Sequence, residues 1–237
     1  MNLEREKFIN QYNKGLPQTL KKDLIADIET PFSSLLKISN MEKYSFLLES
    51  VEGGSKRGRY SMLGCNPDLI WEVKNGKAKI KYLDNNYDYK LDFNPISSLK
   101  KLVKISKFKN NKNEVPFPTL VGYLGYPMIQ YIEKIKLSNK DNIKIPEAIL
   151  IRPKIVAVFD NIKDVISLMT VTYPNEKISA EKAYAKNKLL LKNTIKKLEK
   201  SILKPAQNKN RKPKLKFKSN FKKNEFYKIV NKAKEYI

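Results

Sequence analysis

Leu69-Ile70-Trp71-Glu72-Val73-Lys74-Asn75-Gly76-Lys77-Ala78-Lys79-Ile80-Lys81-Tyr82 reads as a β-hairpin, and the rest of the fold is read outward from it. Two six-residue runs flank Asn75-Gly76, a dipeptide that accepts the positive φ values of a type I′ turn. Upstream, Tyr60-Ser61-Met62-Leu63-Gly64 and Tyr44-Ser45-Phe46-Leu47-Leu48 read as strands, separated by a loop containing Gly53-Gly54. Downstream, Asn94-Pro95 opens a helix through about Ser106, with Ile96, Leu99, Leu102 and Val103 on one face. Thr119 to Tyr126 predicts a strand entering a glycine-bearing turn. Ile155–Phe159 and Val165–Val171 predict paired central strands around an Asp160–Asp164 turn. The polar tracts 107–114 and 136–146 are loops.

Nearer the N-terminus, residues 2–14 predict a helix with Phe8 and Tyr12 on one face, then a turn at Gly15-Leu16-Pro17 and a strand at 19–26. Thr30-Pro31 starts a second helix, since a threonine N-cap accepts a free backbone N–H and proline suits the first helical position. Leu35, Leu36 and Ile38 form its buried stripe, and Asn40 turns the chain. Ser179 caps a long helix over about 180–203 carrying Tyr184, Leu191, Ile195, Leu198 and Ile202. Residues 204–220, with Pro205 and Pro213, read as a linker. Beyond it an amphipathic helix carries Phe226, Ile229, Val230, Ala233 and Ile237 on one stripe. The expected organisation is a domain over 1–203, a linker over 204–220, and the first helix of a truncated further domain over 221–237. The expected fold class is α+β, with layered, mainly antiparallel β-sheets and peripheral helices.

Composition narrows the function classes. The chain has 237 residues, 41% of them hydrophobic, enough to bury a core. No apolar run approaches the ~20 residues that span a bilayer, and Met1-Asn2-Leu3-Glu4-Arg5-Glu6 lacks the apolar stretch of a signal peptide. The expected setting is cytoplasmic, with no membrane partner. One cysteine, Cys65, and no histidine exclude an internal disulfide, a histidine-based triad and the usual zinc sites. A net charge of +24 raises nucleic acid as a partner. Arginine, whose fork reads phosphates and bases, is scarce, because Arg5, Arg57, Arg59, Arg152 and Arg211 are all there are. The lysine excess accompanies abundant Asn and Ile, which resembles compositional drift in an AT-rich genome. Lys77, Lys79 and Lys81, alternating on one strand, keep the basic-surface alternative open.

Leu47-Leu48-Glu49-Ser50-Val51-Glu52-Gly53-Gly54 breaks ordinary core logic, placing carboxylates and a hydroxyl at the exit of an apolar strand, just before Lys56-Arg57-Gly58-Arg59. Such a set suits a zwitterion. Glu49 can hold an ammonium, and Ser50 with Arg59 can hold a carboxylate. From spacing alone, however, the segment reads as a solvated hairpin with surface ion pairs. Asp160 and Asp164 read as a solvated loop capping its own backbone rather than a catalytic pair. The glycines of Val121-Gly122-Tyr123-Leu124-Gly125-Tyr126 match neither a dinucleotide fingerprint nor a P-loop, and instead predict close packing against a neighbouring backbone. Cys65 reads as a small core residue and Trp71 as a sheet-face residue.

Four blocks in order, Asp27-Ile28-Glu29-Thr30-Pro31, Phe46 to Gly53, Gly58-Arg59-Tyr60-Ser61 and Val121 to Tyr126, resemble the motif series of the N-terminal domain of anthranilate synthase component I. The resemblance covers about residues 24–175, and the helix at the end of the chain is similar to the opening of the family's chorismate-binding domain. Pro127 and Gln130 stand where the family commonly has an acidic and a basic residue. The resemblance implies that Glu49, Ser50 and Arg59 form part of the pocket for tryptophan, the feedback inhibitor. It also implies an enzyme that makes anthranilate and pyruvate from chorismate and ammonia, in tryptophan synthesis. That enzyme uses Mg2+ and a glutamine amidotransferase partner, anthranilate synthase component II. By the same resemblance, catalytic and metal-binding residues lie beyond Ile237, so this portion alone is expected to be inactive. Aminodeoxychorismate synthase component I, a stand-alone amino-acid-sensing module and a basic nucleic-acid-binding protein remain as alternatives.

Overall fold

The computed structural model describes residues 3–40, 42–49, 58–83, 87–91, 94–108, 117–135, 144–201 and 218–236. In chain order the elements are α1 (Leu3–Asn13), β1 (Gln18–Ile25), α2 (Pro31–Ser39), β2 (Phe46–Leu48), β3 (Tyr60–Lys74), β4 (Lys77–Tyr82) and β5 (Tyr87–Leu91). There follow α3 (Pro95–Ile105), β6 (Val121–Leu124), a short 3-10 helix (Tyr126–Tyr131), β7 (Ala148–Asp160), β8 (Val165–Thr172), α4 (Ala180–Leu198) and α5 (Lys223–Lys234). They divide into two compact units, Met1–Ile202 and Leu203–Ile237.

The Asn75-Gly76 turn takes φ values of 51° and 72°, the left-handed pair that a type I′ turn requires, and β3 and β4 pair in register from it. β3 continues far past the hairpin. The two strands expected at 60–64 and 69–74 are one strand of 15 residues, carried through Pro67 by a register shift between Pro67 and Leu69. β7 does the same through Pro153, so the strand expected at 155–159 begins at Ala148. The two long strands pair antiparallel from Tyr60–Asp160 to Val73–Ala148 and form the spine of an α+β fold.

Each spine strand changes its outer partner at its proline. β3 pairs with β2 over Met62–Gly64 and with β4 from Leu69. β7 pairs with β6 over Ala148–Ile151 and with β8 from Ile155. Every pairing is antiparallel. The result is one eight-stranded sheet with a main order β1-β8-β7-β3-β4-β5.

Helices cover the two halves separately. Alternate β7 residues Ile155, Ala157 and Phe159 join Leu63, Cys65 and Leu168 under Ile38 of α2 and Leu198 of α4. Val156 and Val158 face the other way, toward Met169 and Phe117. Cys65 is thus a core residue as expected, and burial pushes its thiol up to about 12. In the other half Trp71, Val73 and Ile80 pack against Leu102 of α3 and Met128 of the 3-10 helix. The Trp71 indole Nε1 donates to Ser98 Oγ at 2.9 Å. Phe8 and Tyr12 of α1 meet Tyr184 of α4 in a third cluster.

Local signals set the helix ends. Thr30 and Ser33 form a reciprocal capping box, and Asn40 closes α2 in the left-handed conformation at φ 49°. Lys37 is paired with Glu29 and donates to the Leu198 carbonyl at 2.9 Å, which ties α2 to the end of α4. Val103 is exposed, against the expectation for α3, because the helix turns Leu102, Ile96, Leu99 and Ser98 toward the sheet instead. Leu35 and Leu36 are only half-buried, and Tyr44 lies outside β2 with φ 63°.

Gly122 carries out the close packing expected of it. A Cβ there would lie 1.9 Å from the Ile149 carbonyl oxygen of β7. In the second unit, α5 is capped by Glu225 reaching back to the Lys222 N–H at 2.8 Å, and Phe226 and Ile229 are exposed in this structure. Among the described residues no helix is long and apolar enough to cross a membrane.

Candidate functional site

The site expected from the sequence lies where β2 leaves the sheet. Leu47 packs on the core, whereas Leu48 is 49% exposed and Glu49 beyond it is exposed. The strand therefore surfaces within two residues, delivering the Glu49 carboxylate to solvent. Ser50, together with 51–57, lies outside the described residues.

Arg59 sits just before β3, and the turn between β7 and β8 holds it. Its Nη2 donates to Asp160 Oδ2 at 2.9 Å, and its Nε to Oδ1 at 3.2 Å. The segment is sewn to the same turn by its backbone. Asn161 N donates to the Arg59 carbonyl at 2.8 Å, and Asn161 Nδ2 to the Gly58 carbonyl at 3.0 Å. The guanidinium also lies 4.8 Å from the centre of the Tyr60 ring.

Asp160 caps the turn as expected, accepting from the Ile162 and Lys163 N–H groups at 3.2 and 3.3 Å. It is not solvated, which corrects the sequence reading: Asp160 is 7% exposed because Arg59 covers it. The Arg59 hydrogen bonds, helped by those backbone donors, hold the Asp160 carboxyl below its usual range, and Asp160 in turn raises the Arg59 guanidinium. The Arg59 side chain stays 44% exposed on its outer side. Two of its five N–H donors face Asp160, leaving a fork for a further anion. Glu49 and Arg59 form no ion pair with each other among the described residues.

A second charged pair had no sequence signal. Arg152 Nε and Nη2 donate to Asp68 Oδ1 and Oδ2 at 2.9 and 2.6 Å, buried at the point where the spine strands change partners. Its members are 84 residues apart and each adjoins a proline, so neither local pattern nor spacing marks them. The Arg152 guanidinium stacks 3.6 Å from the centre of the Tyr173 ring. Burial works most strongly against its charge, and the hydrogen bonds to Asp68 together with the attraction of Asp68, Tyr173 and Tyr82 raise its pKa nonetheless.

Among the described residues no three acidic, cysteine or histidine side chains come together as a metal site. Pro127 and Gln130 lie in the 3-10 helix, anchored where Gly125 N donates to the Glu147 carbonyl at 2.8 Å.

Residues 54–237 match a family model described as chorismate binding enzyme. The chain is 32% identical to anthranilate synthase component 1 of Cereibacter sphaeroides over 98% of its own length, and 31% identical to that of Aquifex aeolicus over 100%. It spans about half of these relatives, 47% of each. The crystal structure of anthranilate synthase component I from Streptococcus pneumoniae shares the fold, with a TM-score of 0.51 and 22% identity, over 90% of this chain and 45% of that one. Motif order, sheet architecture and whole-chain similarity agree, and this chain belongs to the family of chorismate binding enzymes.

Proposed function

We propose that this chain is the N-terminal, regulatory portion of a tryptophan-inhibited anthranilate synthase component I, and that Glu49, Ser50 and Arg59 supply half of the inhibitor pocket. The observation that carries the proposal is similarity to anthranilate synthase component 1 along 98% of the chain. The strand exit supports it chemically. Glu49 offers a solvent-facing carboxylate for an α-ammonium, and the outer side of Arg59 offers a guanidinium edge for an α-carboxylate. Asp160 fixes that edge in place.

In the longer enzyme the reaction joins ammonia to chorismate and releases anthranilate and pyruvate. A glutamine amidotransferase subunit supplies the ammonia, and catalysis uses Mg2+ in the cytoplasm. Among the described residues no three acidic, cysteine or histidine side chains come together for that ion. The part of this portion is regulatory: a ligand lodged beside the β2 exit opposes the closure that turnover needs.

The test uses the enzyme with its catalytic half present and follows anthranilate fluorescence from chorismate and ammonia against tryptophan concentration. Ser50→Phe is expected to abolish inhibition and leave turnover largely intact. Inhibition unchanged in that variant would sink the pocket assignment, and a product other than anthranilate would sink the assignment of the reaction.

A further inference from the structure

β3 and β7 pair as far as Tyr60–Asp160, and there the register ends. One residue carries the attachment past that point. Asn161 donates to two consecutive carbonyls of the chain entering β3, from its backbone N to Arg59 at 2.8 Å and from its side-chain Nδ2 to Gly58 at 3.0 Å. The second bond falls beyond the last rung, so a side-chain amide supplies what a longer strand would have supplied from its backbone. Gly58 is buried and Arg59 exposed, which places this grip at the point where the guanidinium arm leaves the fold.

An anchor must itself be fixed, and the β7–β8 turn is. Asp160 closes it from within, accepting from the Ile162 and Lys163 N–H groups. Asp164, in the left-handed conformation at φ 52°, ties it from outside, because its carbonyl accepts from Ala26 N at 2.9 Å at the end of β1. The turn therefore holds the chain at the entry to two of the four sequence blocks, Asp27–Pro31 and Gly58–Ser61, while belonging to neither. Asp160 and Asn161 divide the task. Asp160 restrains the tip of the Arg59 side chain and Asn161 the backbone from which it springs. A fork tethered at its tip alone still swings with its main chain, and recognition of a carboxylate by a guanidinium depends on its direction.

We infer that Asn161 is a positioning residue of the strand-exit pocket, holding the Gly58–Arg59 backbone so that the free edge of the Arg59 guanidinium meets the inhibitor's α-carboxylate. The inference rests on the reading of Arg59 as a pocket residue.

A double-mutant cycle on the enzyme with its catalytic half present tests this, each half-inhibiting tryptophan concentration being taken against the variant's own uninhibited rate. Arg59→Ala is expected to raise that concentration about tenfold, and Asn161→Ala, which truncates an exposed side chain and leaves its backbone bond intact, about fivefold. The double variant should lie within about twofold of Arg59→Ala, because no guanidinium is then left to aim. Should Arg59→Ala abolish inhibition outright, the same cycle is read with Arg59→Lys, which keeps the charge and loses the fork. Inhibition unchanged in Asn161→Ala while Arg59→Ala weakens it would overturn the inference and leave the pocket standing. Losses that multiply to about fiftyfold in the double variant would also overturn it, since Asn161 would then act by another route. Inhibition indifferent to Arg59→Ala, or absent from the unaltered enzyme, would remove the pocket reading itself and the inference with it.

Discussion

Asp160 stays charged in a place with little water, because Arg59 and two backbone N–H groups replace the solvent it has lost. Its folded pKa is depressed, so the stabilisation is complete above the unfolded carboxyl's value, about 3.9, and disappears as pH falls through the lower folded value. Asp160→Asn should therefore lower the melting temperature by a constant amount between pH 5 and 7, with the gap closing below about pH 4 as the wild-type carboxyl protonates. A gap that persists unchanged into acid would mean the carboxylate charge is irrelevant. Asp68 makes the sharper contrast, since it is buried with Arg152. Removing it strands a guanidinium, and Asp68→Ala should cost about 3–5 kcal/mol in urea unfolding, whereas the double variant Asp68→Leu/Arg152→Met should cost far less. At this scale the sequence displayed chemical character but no partners. Arg59 was recognisable as a basic group beside a strand exit, but Asp160, 101 residues away, could be read only as a turn cap.

Elements announced themselves wherever a backbone rule acts locally. The Asn75-Gly76 hairpin, the Thr30 and Ser179 caps and the Asn40 terminus stand where turn and capping chemistry put them. Long-range pairing overruled local rules elsewhere. Pro67 and Pro153 argue against central strands, yet each sits where its strand lacks an outer partner, so the missing N–H costs no ladder bond there. β5 carries no turn signal comparable to Asn-Gly and owes its existence to pairing with β4. Gly122 tests the packing claim at this level. Gly122→Ala drives a methyl into the Ile149 carbonyl, and backbone cannot give way as a side-chain tip does. The expected loss is about 3 kcal/mol, the upper end for overpacking, with faster hydrogen exchange along β6. A variant as stable as wild type would show that β6 is not anchored by this approach.

Across the whole molecule, 48 basic against 24 acidic residues give a net charge of +24, and lysines crowd the outer face of α4. Such a surface repels itself more when the chain is compact. Raising salt from about 0.01 to about 0.1 M shortens the screening length from roughly 30 to roughly 10 Å, and should raise the melting temperature by a few degrees. A melting temperature that falls over that interval would imply that attractive ion pairs outweigh the excess. The fold class could be read from the sequence because hydrophobic alternation and turn chemistry are spread along the chain. The exchange of partners at the two prolines could not, because it exists only once β3 and β7 have met.

That exchange also sets an order of assembly. Everything between Leu69 and Arg152 that builds the half of the sheet around Trp71 is contiguous in the chain, and it starts from the two-residue Asn75-Gly76 turn. The other half needs β1, β2, β8 and α4, gathered from residues 18 to 198. Once Val73 has found Ala148, the large loop is closed, and each further rung from Cys65–Ile155 to Tyr60–Asp160 adds no new loop-closure entropy. The first half is therefore expected to form first as the nucleus and the second to follow as a zipper, an order that folding and unfolding rates of variants would check. Destabilising substitutions around Trp71 should slow folding, whereas those around Leu168 should mainly speed unfolding.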